Sequence, residues 1–443
     1  MENKENSLST RITYQDVLKS TTDKYGGMYS EDHKRFYHLR GLDIFNYKVE
    51  DGVEVICGDN YFRTSAFSLI IRNIELPESL IAIGHHAFSF CRSITKLVLP
   101  KSLRIIEGNP FIGCKNCKVI ECLSPYYTVK DNILYSSDLK RLISCLDFTS
   151  SFIDIEDTVE YIGEEAFWGC YNIKGIKLST NLKTIGESAF SSCINLESVK
   201  LPGKLTQIDN FAFSDCYALK DINLPASLIE ISGNPFKKCY NCTIVNASNN
   251  FYVEDYFLYT SDMERVISCL QKRESIKMSF NTKHIGDYCF SENDILKDVI
   301  FSPILTTIGK GAFRDCRSLN RIVMPPSIQI IEDEAFYGCH IKDLNLPISL
   351  KIIGKSAFAY SDFTELYISM SVTKICRYAF DECNHLKDIY IYNPDIDLEE
   401  EWVPFPFTHY SINNIYIPRG SKDRFVSILE SHNSPYVDNL VEM

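Results

Sequence analysis

Apolar residues along this chain fall into a recurring phrase with fixed spacing. In Leu196-Glu197-Ser198-Val199-Lys200-Leu201-Pro202, Val199 and Leu201 alternate with polar residues. Alternation at period two predicts a strand. Pro at 77, 100, 202, 225, 325 and 347 closes the equivalent strands, because it has no N–H for a ladder. A second apolar pair follows, Leu205 and Ile208, then Ala212-Phe213 and Cys216. The same phrase reads Ile83-Gly84…Ala87-Phe88…Cys91, then Ile162-Gly163…Ala166-Phe167…Cys170, and runs to Ile375…Ala379-Phe380…Cys383.

With the Ile as anchor there are twelve registers: Ile56, Ile83, Ile106, Ile162, Ile185, Ile208, Ile231, Ile285, Ile308, Ile331, Ile353 and Ile375. Most steps are 23 residues and the last two are 22. Five residues beyond the anchor every copy has Phe except one, which has Tyr61. A repeat of this length predicts a stacked array in which no unit buries its apolar face alone. One strand per coil, stacked at ~4.8 Å, builds a long parallel β-sheet with the Phe rungs inside.

Two steps are long, Ile106 to Ile162 and Ile231 to Ile285, and each carries the same insertion. Leu134-Tyr135-Ser136-Ser137-Asp138 and Leu258-Tyr259-Thr260-Ser261-Asp262 sit between apolar runs, which reads as a β-hairpin. A third copy begins at Met28-Tyr29-Ser30-Glu31-Asp32. The predicted organisation is a polar tail or partial cap over 1–26, and a solenoid over 27–394 with hairpins near 28–37, 127–146 and 252–270. A C-terminal cap over 395–443 completes it. That cap holds a strand at Ile415-Tyr416-Ile417, a short helix over 421–431, and an acidic lead-in, Glu399-Glu400-Glu401, before Trp402.

Of the 17 cysteines, nine share one register: Cys91, Cys114, Cys170, Cys193, Cys216, Cys239, Cys316, Cys339 and Cys383. Thr64, Asn293 and Ser361 fill the same place elsewhere. Parallel Cβ vectors suit a packing ladder of buried free Cys, not disulfides. The net charge of −12 disfavours nucleic acid and anionic membrane as partners. Residues 1–10 are polar and lack the apolar core of a secretory signal, and no run reaches the length of a membrane helix.

The phrase Leu-x-x-Ile-x-Leu-Pro-x-Ser-Leu-x-x-Ile-Gly-x-x-Ala-Phe-x-x-Cys, cleanest from Leu196 to Cys216 and from Leu319 to Cys339, resembles the BspA-like leucine-rich-repeat family. The inserted hairpins and the ending Ile417-Pro418-Arg419-Gly420-Ser421 resemble it too. The resemblance implies an α/β-type repeat, a right-handed leucine-rich-repeat solenoid. It also implies a bacterial or protozoan surface protein that binds host or matrix proteins, and it brings no catalytic residues.

The chemistry-bearing groups point the same way. Cys114-Lys115-Asn116-Cys117 and Cys239-Tyr240-Asn241-Cys242 have thiolate-site spacing, but their first members are ladder rungs and a stack holds the two pairs far apart. His85-His86 falls in the turn after an anchor, expected to be exposed, with no acid at a meaningful spacing. Asn241 and Asn246 head short glycosylation-type triplets that recur by chance. The outward strand position varies through Lys177, Lys200, Asn223, Val323 and Asn345, then becomes Tyr367, Tyr390 and Tyr416, with Tyr392 nearby. This stripe is the predicted partner-binding site, because Tyr gives a large amphipathic contact at low entropic cost. The expected protein is a monomeric, adhesin-like binder of a protein or peptide, not an enzyme, without metal or cofactor. A carbohydrate-binding surface is the alternative.

Overall fold

In a computed structural model, the structure describes residues 8–40, 44–58, 65–67, 70–117, 119–398, 412–431 and 436–443. The chain is a β-solenoid with very little helix, in two compact units, Met1–Pro235 and Phe236–Met443. No helix among the described residues is long and apolar enough to cross a membrane.

Each coil contributes two short strands, where the sequence pattern predicted one. The first line runs through the anchors. In the N-terminal unit, Arg35–Leu39, Val55–Ile56, Ala82–Ile83 and Ile105–Ile106 pair in parallel, with Phe36, Ile56, Ile83 and Ile106 in register. Arg141–Cys145, Tyr161–Ile162, Thr184–Ile185, Gln207–Ile208 and Glu230–Ile231 form the next ladder. In the C-terminal unit the ladder runs from Arg265–Cys269 through His284–Ile285 to Lys374–Ile375 and Asp397–Leu398. Two-residue strands are too short to show alternation in sequence, which is why this line was not predicted.

The second line is the Leu-x-Leu sheet. It contains Phe152–Asp154, Gly175–Lys177, Ser198–Val199 and Asp221–Leu224 in one unit, and Glu365–Ile368, Asp388–Ile391, Asn414–Ile417 and Leu440–Glu442 in the other. The line is interrupted. Asn73–Glu75 pairs with Asn46–Lys48 but not with Lys96–Leu99, and the coils at Arg321 and Asp343 are joined by a single bridge.

The Phe rungs stack face to face. Ring centroids are 4.9 Å apart for Phe67–Phe88 and Phe167–Phe190, 5.2 Å for Phe190–Phe213, and 5.0 to 5.7 Å from Phe290 through Phe313, Phe336 and Phe358 to Phe380. In the Ile56 coil the rung stacked on Phe88 is Phe67 and not the Tyr61 that the spacing assigned; Tyr61 and Thr64 themselves lie outside the described residues. The Cys rungs do more than fill space. Cys193 Sγ donates to the Phe167 carbonyl at 3.2 Å, Cys216 to Phe190 at 3.2 Å, Cys316 to Phe290 at 3.1 Å and Cys339 to Phe313 at 2.9 Å. The substitutes also donate: Ser361 Oγ to the Cys339 carbonyl and Asn293 Nδ2 to that of Arg273. A buried carbonyl left unmatched is costly, so the rung needs a small side chain with a proton to give.

Between the anchor and the Cys rung the chain turns through left-handed residues twice per coil, once before and once after the Phe, for example Glu165 (φ 55°) and Gly169 (φ 67°), then Ser188 (53°) and Ser192 (60°). Non-glycine residues tolerate this because the next coil holds them. Glu165 N–H donates to the Glu187 carbonyl, Phe167 N–H to Ala189 and Gly169 N–H to Ser191, at 2.7 to 2.9 Å.

The insertions are hairpins: Tyr127–Lys130 with Ile133–Ser136, and Phe251–Glu254 with Phe257–Thr260. In the next turn, which leads from the second strand to the strand entering the anchor ladder, an Asp orders the loop. Asp138 Oδ1 accepts from Ser136 Oγ at 2.6 Å and Lys140 N–H at 3.0 Å, and Asp262 and Asp32 repeat this with Thr260/Glu264 and Ser30/Lys34. A third strand, Arg141–Cys145 or Arg265–Cys269, then enters the anchor ladder.

Residues 8–26 are ordered on the first coil. The Tyr14–Leu18 helix is capped by Thr13, and Asp16 pairs with Arg35 at 3.0 Å. At the other end, Lys422–Ser431 is helical, with Phe425 and Leu429 buried. The acidic stretch Glu399 to Glu401 and Trp402 lie outside the described residues.

Candidate functional site

The four tyrosines singled out from sequence sit on the Leu-x-Leu sheet of the C-terminal unit. Parallel four-residue strands put Tyr367 opposite Tyr390, and Tyr390 opposite Tyr416. Their rings stack at 4.6 Å and 4.4 Å, within 7° of parallel. Leu366, Ile389 and Ile415 beneath them are buried, which fixes the tyrosines outward. Tyr367 is 46% exposed and Tyr392, just past its strand, 43% exposed. Tyr390 and Tyr416 are half-buried by their neighbours.

Tyr367 OH donates to Glu365 Oε2 at 2.7 Å. The hydrogen bond to that carboxylate pushes the phenol up to about 12. Asn414 Nδ2 ties Asp388 Oδ1 at 2.9 Å in the adjacent column. The result is a rigid row of ring edges and hydroxyls whose inner faces are mutually covered.

A second cluster was missed by the sequence pattern. His85 and His86 are not in an open turn: their side chains are 15% and 30% exposed, and they meet Glu165, 18% exposed. His86 Nε2 lies 2.6 Å and His85 Nε2 3.3 Å from Glu165 Oε2. His86 and Glu165 are 79 residues apart; the Ile106 coil lies between theirs in the turn line, its Asn109 carbonyl accepting from His86 N–H at 3.2 Å, and the two side chains meet across it. Asn109 sits at the junction. Its N–H donates to His85 Nδ1 at 3.1 Å and its Nδ2 donates to the Glu165 carbonyl at 2.8 Å. Gly108 (φ 51°) makes room, since a Cβ there would fall 1.9 Å from His85 Nδ1.

The three ligand-type groups lie within 4.8 Å of one another, yet their chemistry is that of a hydrogen-bonded clamp. An imidazole that accepts at Nδ1 carries its proton on Nε2. His85 therefore donates to Glu165, and a metal at Nε2 would require an imidazolate. Burial raises the Glu165 carboxyl, but the hydrogen bonds from His85 and His86 outweigh it and hold it at about 2.

The remaining sequence motifs are structural. Cys114, Cys117, Cys239 and Cys242 are buried cysteines, and Cys114 Sγ donates to the Phe88 carbonyl. Burial pushes the Cys91 and Cys383 thiols up to about 12, far from thiolate chemistry. Asn246 spends its amide on the Ser248 and Phe251 carbonyls.

Comparison with curated proteins returns no match. Among solved structures, the pneumococcal vaccine antigen PcpA is 18% identical over 96% of this chain and 98% of its own, with a TM-score of 0.50. A leucine rich cell surface protein from Faecalibacterium prausnitzii is 22% identical over 92% and 97%, with a TM-score of 0.48. These likenesses concern the fold. The profile of the BspA type leucine rich repeat region matches residues 44–151, 144–264 and 283–402, in six copies. With a regular interior of Phe and Cys rungs beneath that match, the chain belongs to the BspA-type leucine-rich-repeat family.

Proposed function

We propose that this protein is a non-enzymatic recognition protein whose tyrosine ladder contacts a protein or peptide partner. Its role is adhesin-like, at a cell surface or in secreted form, with host or matrix proteins as partners. The observation that carries this reading is the stacked, partly exposed row Tyr367–Tyr390–Tyr416. Three aligned rings lose little side-chain entropy on binding, which is what makes an aromatic patch an energetic anchor. The adhesin-like part rests on the family.

Sugar binding at this patch has weaker support. A pyranose stacks on an open aromatic face, and both faces of Tyr390 are covered by Tyr367 and Tyr416. The test is capture of matrix proteins (fibronectin, fibrinogen, laminin, collagen) by the intact chain and by the double variant Tyr367→Ser, Tyr390→Ser. Saturable binding by the intact chain that the double variant lacks supports the reading. Binding that survives the double substitution, or no binding to any protein, contradicts it.

A further inference from the structure

The outward face of the N-terminal unit carries a groove of about 650 Å³, lined by Tyr25, Asn46, Tyr47, Lys48, Asn73, Ile74, Glu75, Lys96 and Val98. It lies where the Leu-x-Leu ladder is interrupted, between Asn73–Glu75 and Lys96–Leu99. Its volume is in the range of small-ligand sites. One end has a wall. Asp23 Oδ1 accepts from the Tyr25 N–H at 2.7 Å and from Gly27 N–H at 2.8 Å, which raises Tyr25 above the sheet. The Tyr25 ring meets Tyr47 at 6.4 Å, perpendicular to it. Tyr47 is itself fixed, its OH donating to Asp23 Oδ2 at 2.6 Å.

The groups in this groove differ in what they have left to offer. Lys24 Nζ covers one face of Tyr25 at 4.8 Å. Tyr47 meets the ring in a T-shaped contact, and Tyr25 remains 55% exposed. Asn73 Nδ2 donates to Asn46 Oδ1, which leaves the Asn46 amide protons and the Asn73 side-chain carbonyl without a partner among the described residues. Glu75 forms no ion pair among the described residues. The two lysines are already committed, Lys48 to Asp51 at 3.0 Å and Lys96 to Glu121 at 2.9 Å.

An exposed aromatic ring, an amide donor and acceptor, and a carboxylate in no ion pair among the described residues, beside Ile74 and Val98, make a definite chemical set. It matches a ring with an apolar face and vicinal hydroxyls. With the lysines neutralised and Glu75 in no such pair, the set disfavours an anionic ligand. We infer that this groove binds a neutral oligosaccharide, with one sugar ring stacked on Tyr25 and adjacent hydroxyls held by Asn46, Asn73 and Glu75. This site is separate from the tyrosine ladder.

The experiment is isothermal titration calorimetry of the full chain against neutral hexasaccharides (cello-, malto-, manno- and chito-series), with a heparin hexasaccharide as the anionic probe. Saturable binding of at least one neutral series is expected. Tyr25→Ala should weaken it about tenfold, as loss of one stacking contact does, while Tyr25→Phe retains it. Glu75→Gln keeps the shape and should weaken binding severalfold. An unchanged thermal midpoint in each variant separates lost recognition from lost folding. Tyr367→Ser, Tyr390→Ser should bind sugar as the parent does, so failure of the ladder reading and failure of this one are distinguishable. No saturable neutral sugar, preference for the heparin probe, or binding indifferent to Tyr25→Ala would overturn the inference.

Discussion

The outward faces of the two units are built on the same interior and differ in what they leave unsatisfied. In the N-terminal unit, beyond the groove, the outward residues are mostly charged and several pair from coil to coil: Lys177 with Asp154 at 3.0 Å, Lys220 with Glu197 at 2.6 Å and, beside the anchor strands, Glu160 between Lys140 and Lys183. In the C-terminal unit, after Val245 and Lys277, the equivalent column reads Ile300, Val323, Asn345, Tyr367, Tyr390 and Tyr416, and Ile300 and Val323 are 56% and 69% exposed. Paired surface charges keep a face solvated and contribute little stability. An apolar and aromatic column on the same scaffold remains available to a partner. Repetition sets the interior, and the outward column sets what each region can touch.

The largest expected effect tests the shared part of this comparison. Phe190→Ala and Phe313→Ala remove equivalent rungs from the two units, and each should destabilise by ~3–5 kcal/mol. Denaturant unfolding would measure it. A small loss at one rung and a large loss at the other would mean that the interiors are not equivalent.

The next sharpens the difference. Tyr367→Ser with Tyr390→Ser should cost a captured partner about 2 kcal/mol or more of binding, whereas Lys177→Ser should leave capture unchanged. Surface plasmon resonance on matched variants reads both.

A third prediction concerns the clamp at the first insertion. The Glu165 carboxyl is held at about 2, below its ordinary 4.5. Its stabilisation is complete above 4.5 and is lost as pH falls toward 2, to the extent of roughly 3 kcal/mol. Glu165→Gln should flatten that part of the acid-unfolding curve. A curve identical to that of the parent would remove the clamp from the energetics.

The smallest effect uses the second insertion as its control. Asn210 occupies the register of His85, and Asn210 Oδ1 accepts from Asn234 N–H at 2.9 Å as His85 Nδ1 accepts from Asn109. His85→Asn should therefore keep the Asn109 N–H partnered and lose only the donation to Glu165, while His85→Ala loses both and should cost about 1 kcal/mol more than His85→Asn by orphaning that N–H, a difference the thermal midpoint reads. Bound zinc at one ion per chain, lost on His85→Asn, would instead make the cluster a metal centre.

Much of the fold was readable because identity, not merely polarity, repeats: Ile anchors and Phe rungs at a 23-residue step leave one stacking register. The tyrosine row was readable for the same reason, since Pro418 aligns Tyr416 as Pro202 aligns Lys200. The anchor strands were not, because Tyr161–Ile162 is two residues long and its ladder depends on neighbours in space. The donor role of Cys193 was hidden because apolar packing alone accounts for a buried Cys. The clamp was hidden by distance: no local pattern joins His86 to Glu165 until the hairpin over 127–146 is taken out of the turn line. Their common place, three residues past Ile83 and Ile162, was the available signal. The groove under Tyr25 depends on Asp23 turning the chain back over the sheet, which spacing does not encode.

Hydrogen–deuterium exchange of the intact chain, free and saturated with its captured protein partner, bears most directly on the tyrosine ladder. Protection concentrated in Glu365–Ile368, Asp388–Ile391 and Asn414–Ile417 is the predicted result. Protection over the charged strands Gly175–Lys177 and Asp221–Leu224, with the tyrosine strands unchanged, would contradict it.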